Sequence, residues 1–144
     1  MLLKTTVILL LMPILQARNG KKTKGPKLKY DARGGVMVVS RAMLESCAYE
    51  SMPPTAKVLM VLLQLQWRND KAVAYGVREA ANKIGCKPET AGKAFKVLQT
   101  RGFIVCETES LFNSKTGSKA REWRLTWMPF EYHEPTHDWE KWHP

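Results

Sequence analysis

The chain has 144 residues, an apolar fraction of 44% and a formal net charge of +10. This length fits one domain with tails, and so large an apolar fraction argues against a wholly disordered protein. The basic balance, with a pI near 9.7, indicates a polyanionic partner. Three cysteines without C-x-x-C spacing argue against a disulfide scaffold and for a reducing, cytoplasmic location.

The N-terminal residues divide into an apolar run and a basic run. Lys4 precedes the apolar stretch Val7–Leu15, in the order of a secretory signal, but the stretch is too short to span a bilayer and contains Pro13. A true signal-like segment and a start assigned too far upstream both account for it. Residues 18–33 then carry seven Lys or Arg against one Asp. We expect residues 1–35 to form a disordered tail.

The main domain is expected over residues 36–130 and begins with helices. Ser40 is a suitable N-cap for a short helix over Arg41–Ala48. The segment Ser51–Thr55 contains two prolines, which belong in a first helical turn, and it predicts a helix that runs to Trp67. Because this second helix is almost wholly apolar, we expect it to lie at the centre of the core.

Residues 77–96 carry the most specific pattern of the chain. An apolar stripe that ends at Ile84 predicts one short helix. Gly85 suits the left-handed cap that ends a helix, and Pro88 suits the first position of a new one. Small residues such as Ala81 allow two helices to cross closely through a short turn. The pattern predicts a helix-turn-helix.

The strands expected around this helix pair form a hairpin. Val73–Tyr75 is a brief strand before the pair, and Phe103–Glu107 is a strand after it. Arg121–Trp127 alternates polar with apolar residues and closes an antiparallel hairpin with a basic tip at Lys115–Lys119. The expected fold class is α+β, mainly α, with three helices and a two- to three-stranded hairpin. Residues 131–144 follow as an acidic tail.

The five tryptophans are candidates for stacking on the bases of single-stranded nucleic acid. Trp67, Trp123 and Trp127 lie in helix or strand patterns, and we expect them in the core. Trp139 and Trp142 lie in the acidic tail, where two interpretations stay open. They either pack back on the domain or bind a partner.

The segment His133–His137 matches H-E-x-x-H, the motif of zinc metalloproteases. That chemistry needs both histidines on one face of a helix, and Pro135 interrupts a helix at this point. The chain contains no Walker-type glycine loop, dinucleotide-binding fingerprint or nucleophile elbow. We therefore expect no enzyme activity, no metal or other cofactor, and no small-molecule ligand.

From Ser40 to Trp127 the chain resembles winged helix-turn-helix proteins of bacterial and phage origin. The stretch TAGKAFKVLQTRGFI, residues 90–104, is similar to the recognition-helix-to-wing segment of GntR-type and replication-initiator domains. The stretch EWRLTW, residues 122–127, is similar to the wing strand of small stand-alone members. The resemblance implies double-stranded DNA as the partner of a transcriptional regulator or a phage or plasmid replication factor. The alternative is a winged helix that binds another protein and no DNA. A homodimer stays open, and no membrane partner is expected.

The second motif helix and the hairpin supply the DNA contacts that this resemblance implies. Lys93 and Glu89 suit base reading, because lysine donates to guanine and glutamate accepts from cytosine. Thr90 can bind a phosphate or a thymine methyl group, and Gly92 allows a close backbone approach. Lys87 stands where a capping residue is usual. The expected phosphate clamps, which set affinity rather than sequence preference, are Lys96, Arg101, Lys115, Lys119 and Arg121.

Overall fold

The fold begins with helices and ends with an antiparallel sheet and a short C-terminal segment. The computed structural model describes residues 31, 33–108, 112–113, 117–118 and 120–144. The predictions for the tail before residue 31 and for Lys115 and Lys119 lie outside these residues. Met37 to Pro144 form one compact unit. In the described ranges, no helix is long and apolar enough to cross a membrane.

The described helices and strands confirm the α+β class predicted from the sequence. The helices are α1 (Arg41–Leu44), α2 (Cys47–Glu50), α3 (Pro54–Leu65), α4 (Val77–Ile84) and α5 (Pro88–Thr100), and a 3-10 helix covers Asp138–Lys141. The strands are β1 (Val73–Ala74), β2 (Ile104–Thr108), β3 (Phe112–Asn113), β4 (Gly117–Ser118) and β5 (Glu122–Leu125).

The single helix predicted over Arg41–Ala48 is wrong, because α1 and α2 are separate helices. Ser46 has an extended backbone, and its hydroxyl oxygen accepts a hydrogen bond from the Tyr49 amide at 3.2 Å. The same hydroxyl donates to the carbonyl oxygen of Met43 in α1. One serine therefore ends the first helix and caps the second.

The helix α3 is central to the core, as its apolar sequence predicts, but only one of its faces is buried. It packs against α4 and α5, and its buried side chains include Leu59 and Leu63, both 0% exposed. The opposite face carries three large apolar side chains in contact with solvent. These are Val58, Val61 and Leu65, which expose 43%, 48% and 59% of their surface.

The strand β5 is the middle of a three-stranded antiparallel sheet in the order β1–β5–β2. Val73 of β1 lies opposite Trp123, and Ile104 of β2 lies opposite Leu125. All four side chains are buried. The predicted pairing of the segment after the helix pair with the segment 121–127 is therefore confirmed, and β3 pairs with β4 as a separate ribbon.

The acidic C-terminal segment packs on the domain through Trp139. This indole exposes 7% of its surface and stacks on the ring of Phe103, with 6.1 Å between centroids and 10° between planes. The backbone of Asp138 passes so close to Gly102 that a Cβ there would lie 2.8 Å from the Asp138 carbonyl carbon. Of the two interpretations left open for Trp139, the structure supports packing against the domain.

The other tryptophans divide between buried and half-buried positions. Trp123 and Trp127 expose 2% and 7% of their surface, which confirms their predicted place in the core. Trp67 is half-buried and donates its indole N–H to the carbonyl oxygen of Pro129 at 2.8 Å. Trp142 is also half-buried.

Candidate nucleic-acid interface

A three-residue turn joins α4 to α5 with the features that the sequence predicts. Gly85 has left-handed backbone angles, φ +83° and ψ +40°, and ends α4. The amides of Gly85 and Cys86 both donate to the carbonyl oxygen of Ala81, at 2.9 and 3.0 Å. Lys87 is extended, and Pro88 begins α5. The chain therefore turns at the glycine between the two helices.

Small side chains allow α4 and α5 to cross closely. Ala81 of α4 and Ala91 and Ala94 of α5 expose 3% or less of their surface. Further along α5, the ring of Phe95 stacks on Trp123 of β5, with 5.3 Å between centroids and 23° between planes. Packing against α4 on one side and the sheet on the other determines which face of α5 remains outside.

The outer face of α5 and its N-terminal turn carry six of the expected DNA contacts. The exposed ones are Lys87, Glu89, Lys93 and Lys96, and the partly exposed ones are Thr90 and Gly92. A Cβ built on Gly92 would have no atom within 4 Å, so the backbone is open to solvent at this point. Three lysines against one glutamate make the face basic.

The N-terminus of α5 has no side-chain cap. Lys87 occupies the N-cap position and makes no capping hydrogen bond. The first amides of an α-helix have no partner within the helix, and they lie at the positive end of the helix dipole. Uncapped amides beside a lysine can donate to an anion such as a phosphate group.

Arg101, by contrast, is already engaged within the protein. Its guanidinium donates to the carbonyl oxygen of Ala48 at 2.7 Å and to the hydroxyl and carbonyl oxygens of Ser51. The guanidinium carbon also lies 4.3 Å from the ring centroid of Trp142. These contacts connect the end of α5 to α2 and to the C-terminal segment. The structure thus gives Arg101 internal contacts, and its expected role as a phosphate clamp stays a prediction.

The base of the hairpin carries Arg121, which is exposed immediately before β5. Its carbonyl oxygen accepts a hydrogen bond from the amide of Tyr75 at 3.2 Å. Burial raises the pKa of the Tyr75 phenol above its ordinary value, and the Glu79 carboxylate adds to the shift. The phenol therefore stays neutral at physiological pH.

Two exposed basic residues of α4 are not among the expected contacts. Arg78 and Lys83 both lie on the solvent side of α4, opposite the alanines that pack on α5. The apolar periodicity that predicts α4 also places these residues outside, so the signal was available in the sequence. They add two positive charges to the solvent side of the helix pair, and the exposed Glu79 of the same helix offsets one of them.

The H-E-x-x-H segment is not a helix. Phe130 and His133 exchange backbone hydrogen bonds of 3.1 and 2.9 Å across a tight turn. His137 has a left-handed backbone, with φ +47°, and its Nδ1 accepts from the Trp139 indole N–H at 3.3 Å. The two histidines therefore share no helical face. Among the residues that the structure describes, no three His, Cys, Asp or Glu side chains could hold a metal ion.

Comparisons with known proteins return no match. The chain matches no protein-family model, no curated protein and no solved structure. The function must therefore be inferred from the α4–α5 pair and its charges.

Proposed function

We propose that this protein is a winged helix-turn-helix protein that binds double-stranded DNA. It acts in the cytoplasm as a transcriptional regulator or as a phage or plasmid replication factor. The observation that carries the proposal is the outer face of α5, which is basic and exposed while the opposite face of the same helix is buried. In this proposal α5 enters the major groove as the recognition helix.

The order of the elements supports the winged-helix part of the proposal. β1 lies between α3 and α4, and α5 leads into the antiparallel β1–β5–β2 sheet. The chain between β2 and β5 then serves as the wing, with Lys115 and Lys119 on the flanking phosphates. Arg121 enters the sheet from this wing and contacts the phosphates at its base.

The spacing of Glu89 and Lys93 suits the reading of two base pairs that lie two steps apart. Four residues of α-helix rise by about 6 Å, which is roughly two base-pair steps of about 3.4 Å. Lys93 donates to O6 and N7 of a guanine, and Glu89 accepts from N4 of a cytosine. Thr90, Lys87 and Lys96 contact phosphates, while the missing side chain at Gly92 lets the backbone approach the groove.

Selection of binding sites from random duplexes tests this division of roles. Lys93→Ala should lose about 1–3 kcal/mol on the best site and relax the preference at one base position. Lys96→Ala should weaken binding to all sequences similarly. It should also reduce the slope of log K against log salt by about one unit, because one phosphate contact is lost. Lys141→Ala, an exposed lysine of the C-terminal segment, is the matched control and should change neither property. Identical behaviour of the Lys93 and Lys96 variants would contradict the proposed roles.

A further inference from the structure

Gly92 is a residue of the outer face of α5 whose identity the fold does not explain. Glycine weakens the interior of a helix, because it has more conformational freedom to lose on folding than alanine has. The fold accounts for a glycine where the backbone is left-handed or where another group packs closely against it. Gly92 meets neither condition, since its backbone is helical and a Cβ built on it would have no atom within 4 Å.

Charged side chains surround Gly92 on the same face of α5. Glu89 and Lys96 lie three residues before it and four residues after it, so the three positions follow one another along one side of the helix. Lys93 is the next residue in the chain. All three charged residues are exposed, and Gly92 is partly exposed. A surface laid against this face therefore meets charged groups on either side of a recess that is one side chain deep.

The floor of this recess is apolar. Gly92 lies more than one turn from either end of α5, where the amide and the carbonyl are used in the hydrogen bonds of the helix itself. The group that Gly92 presents outward is its Cα with two hydrogens. A polar group placed against this Cα would lose its contact with water and gain no partner. The recess therefore suits an apolar group.

The major groove of DNA offers one kind of apolar group. The base edges present acceptors at N7, O6 and O4 and donors at N4 and N6, and thymine adds a methyl group on C5. A methyl group also matches the recess in size, because the recess is the space that the Cβ of an alanine would fill.

We infer that the recess at Gly92 receives the C5 methyl group of a pyrimidine in the major groove. This contact rests on the proposed function, in which α5 is the recognition helix. Along the helix axis Gly92 lies about 4.5 Å beyond Glu89, which is closest to one base-pair step of about 3.4 Å. The methyl group therefore belongs to the base pair between those that Glu89 and Lys93 read. Thymine and 5-methylcytosine both present this group.

Binding of the full chain to duplexes that differ by one methyl group tests this contact. In the best selected site, the pyrimidine of the intervening base pair is made thymine, uracil, 5-methylcytosine or cytosine in turn. In at least one pair, thymine against uracil or 5-methylcytosine against cytosine, the methylated duplex should bind about fourfold tighter, as expected for the burial of one methyl group. The pair that shows this gain identifies the source of the methyl group. Equal affinities within both pairs would overturn the inference.

Gly92→Ala supplies the second arm of the test, because it fills the recess with a methyl group of the protein. This variant should lose the preference for the methylated duplex. Gln99→Ala is the matched control, since Gln99 is an exposed, uncharged residue of α5 about two turns further along, and it should keep the fourfold preference. A Gly92→Ala chain that keeps this preference would contradict a contact at the recess.

Two results separate the methyl contact from the proposed function. A wild-type chain that binds no duplex would contradict both. A chain that binds duplex, and in which Lys93→Ala relaxes one base position while both methyl pairs bind equally, would leave α5 as the recognition helix. In that case only the methyl contact is wrong.

Discussion

Gly85 and Gly92 show that one residue type meets two different needs within the helix pair. Gly85 takes a left-handed backbone, with φ +83°, which allows α4 to end and the chain to turn. Gly92 lies inside α5 in a helical conformation that any residue can adopt, and its missing side chain leaves the backbone open. The first glycine is explained by the fold, whereas the second is explained by the proposed approach to DNA.

Alanine substitution of the two glycines should therefore change stability in opposite directions. Gly85→Ala should lower the free energy of unfolding by about 1–2 kcal/mol, because a Cβ disfavours the left-handed conformation. Gly92→Ala should raise it by about 0.5–1 kcal/mol, because alanine favours helix and the new methyl meets no atom. Urea unfolding measures both effects. Gly92→Ala should nonetheless bind duplex DNA less tightly, and unchanged affinity would mean that the backbone does not approach the groove.

The internal contacts of Arg101 lead to a different prediction for that residue. Arg101→Ala should lower the free energy of unfolding by about 1.5–3 kcal/mol, since charge-assisted hydrogen bonds to α2 are lost. Arg101→Lys keeps the charge but lacks the planar guanidinium group, whose N–H donors make these hydrogen bonds. This substitution should therefore not restore stability in thermal unfolding. A phosphate clamp would give the opposite result, with unchanged stability and with DNA affinity recovered by the lysine.

At the scale of elements, local signals account for what could be predicted. The start of α5 is encoded by Pro88, and the stop at its C-terminal end is encoded by Gly102, so the predicted and observed helices agree closely. The sequence does not predict the break between α1 and α2, because Ser46 can stand inside a helix or cap one, and the nearby residues do not distinguish the two. The sequence leaves the position of Trp139 open, because that position depends on a contact with Phe103, which is distant in sequence.

In the candidate site, too, local features could be predicted from the sequence and contacts between distant residues could not. The exposure of Lys93 and Lys96 follows from the periodicity of their own helix, and the structure places both on the outer face of α5. The internal role of Arg101 depends on Ala48, which lies 53 residues away in the chain. Periodicity predicts which way a side chain points, but it does not predict which distant group the side chain meets.

Neighbouring residues on opposite faces of α5 should separate stability from binding. Phe95 is 4% exposed and stacks on Trp123, so Phe95→Ala should leave a cavity and cost about 3–5 kcal/mol of unfolding free energy. Lys96 is exposed, so Lys96→Ala should change stability by no more than about 0.5 kcal/mol while it weakens DNA binding. Thermal unfolding and duplex titration measure the two properties. Loss of stability on Lys96→Ala alone would mean that α5 is rotated from the orientation described.

For the whole molecule, the location of the positive charge matters more than its amount. The net charge of +10 would attract DNA to any basic surface, and residues 18–33 alone carry seven of the basic side chains. The outer face of α5 belongs to a helix whose opposite face is packed in the core, so its position in the molecule is fixed. A test of the function must therefore compare variants of equal charge at different places on the protein.

The most direct measurement is the salt dependence of duplex binding for two triple variants of the full chain. One replaces Lys87, Lys93 and Lys96 with Gln. The other replaces Arg41, Lys71 and Lys141 with Gln, three exposed residues that are not on α5, and so removes the same charge. The slope of log K against log salt should decrease by about 2 for the first variant, because the phosphate contacts of Lys87 and Lys96 are lost, and should change little for the second. Equal loss in both variants would contradict recognition by α5, and a wild-type chain without duplex binding would favour a protein-interaction module.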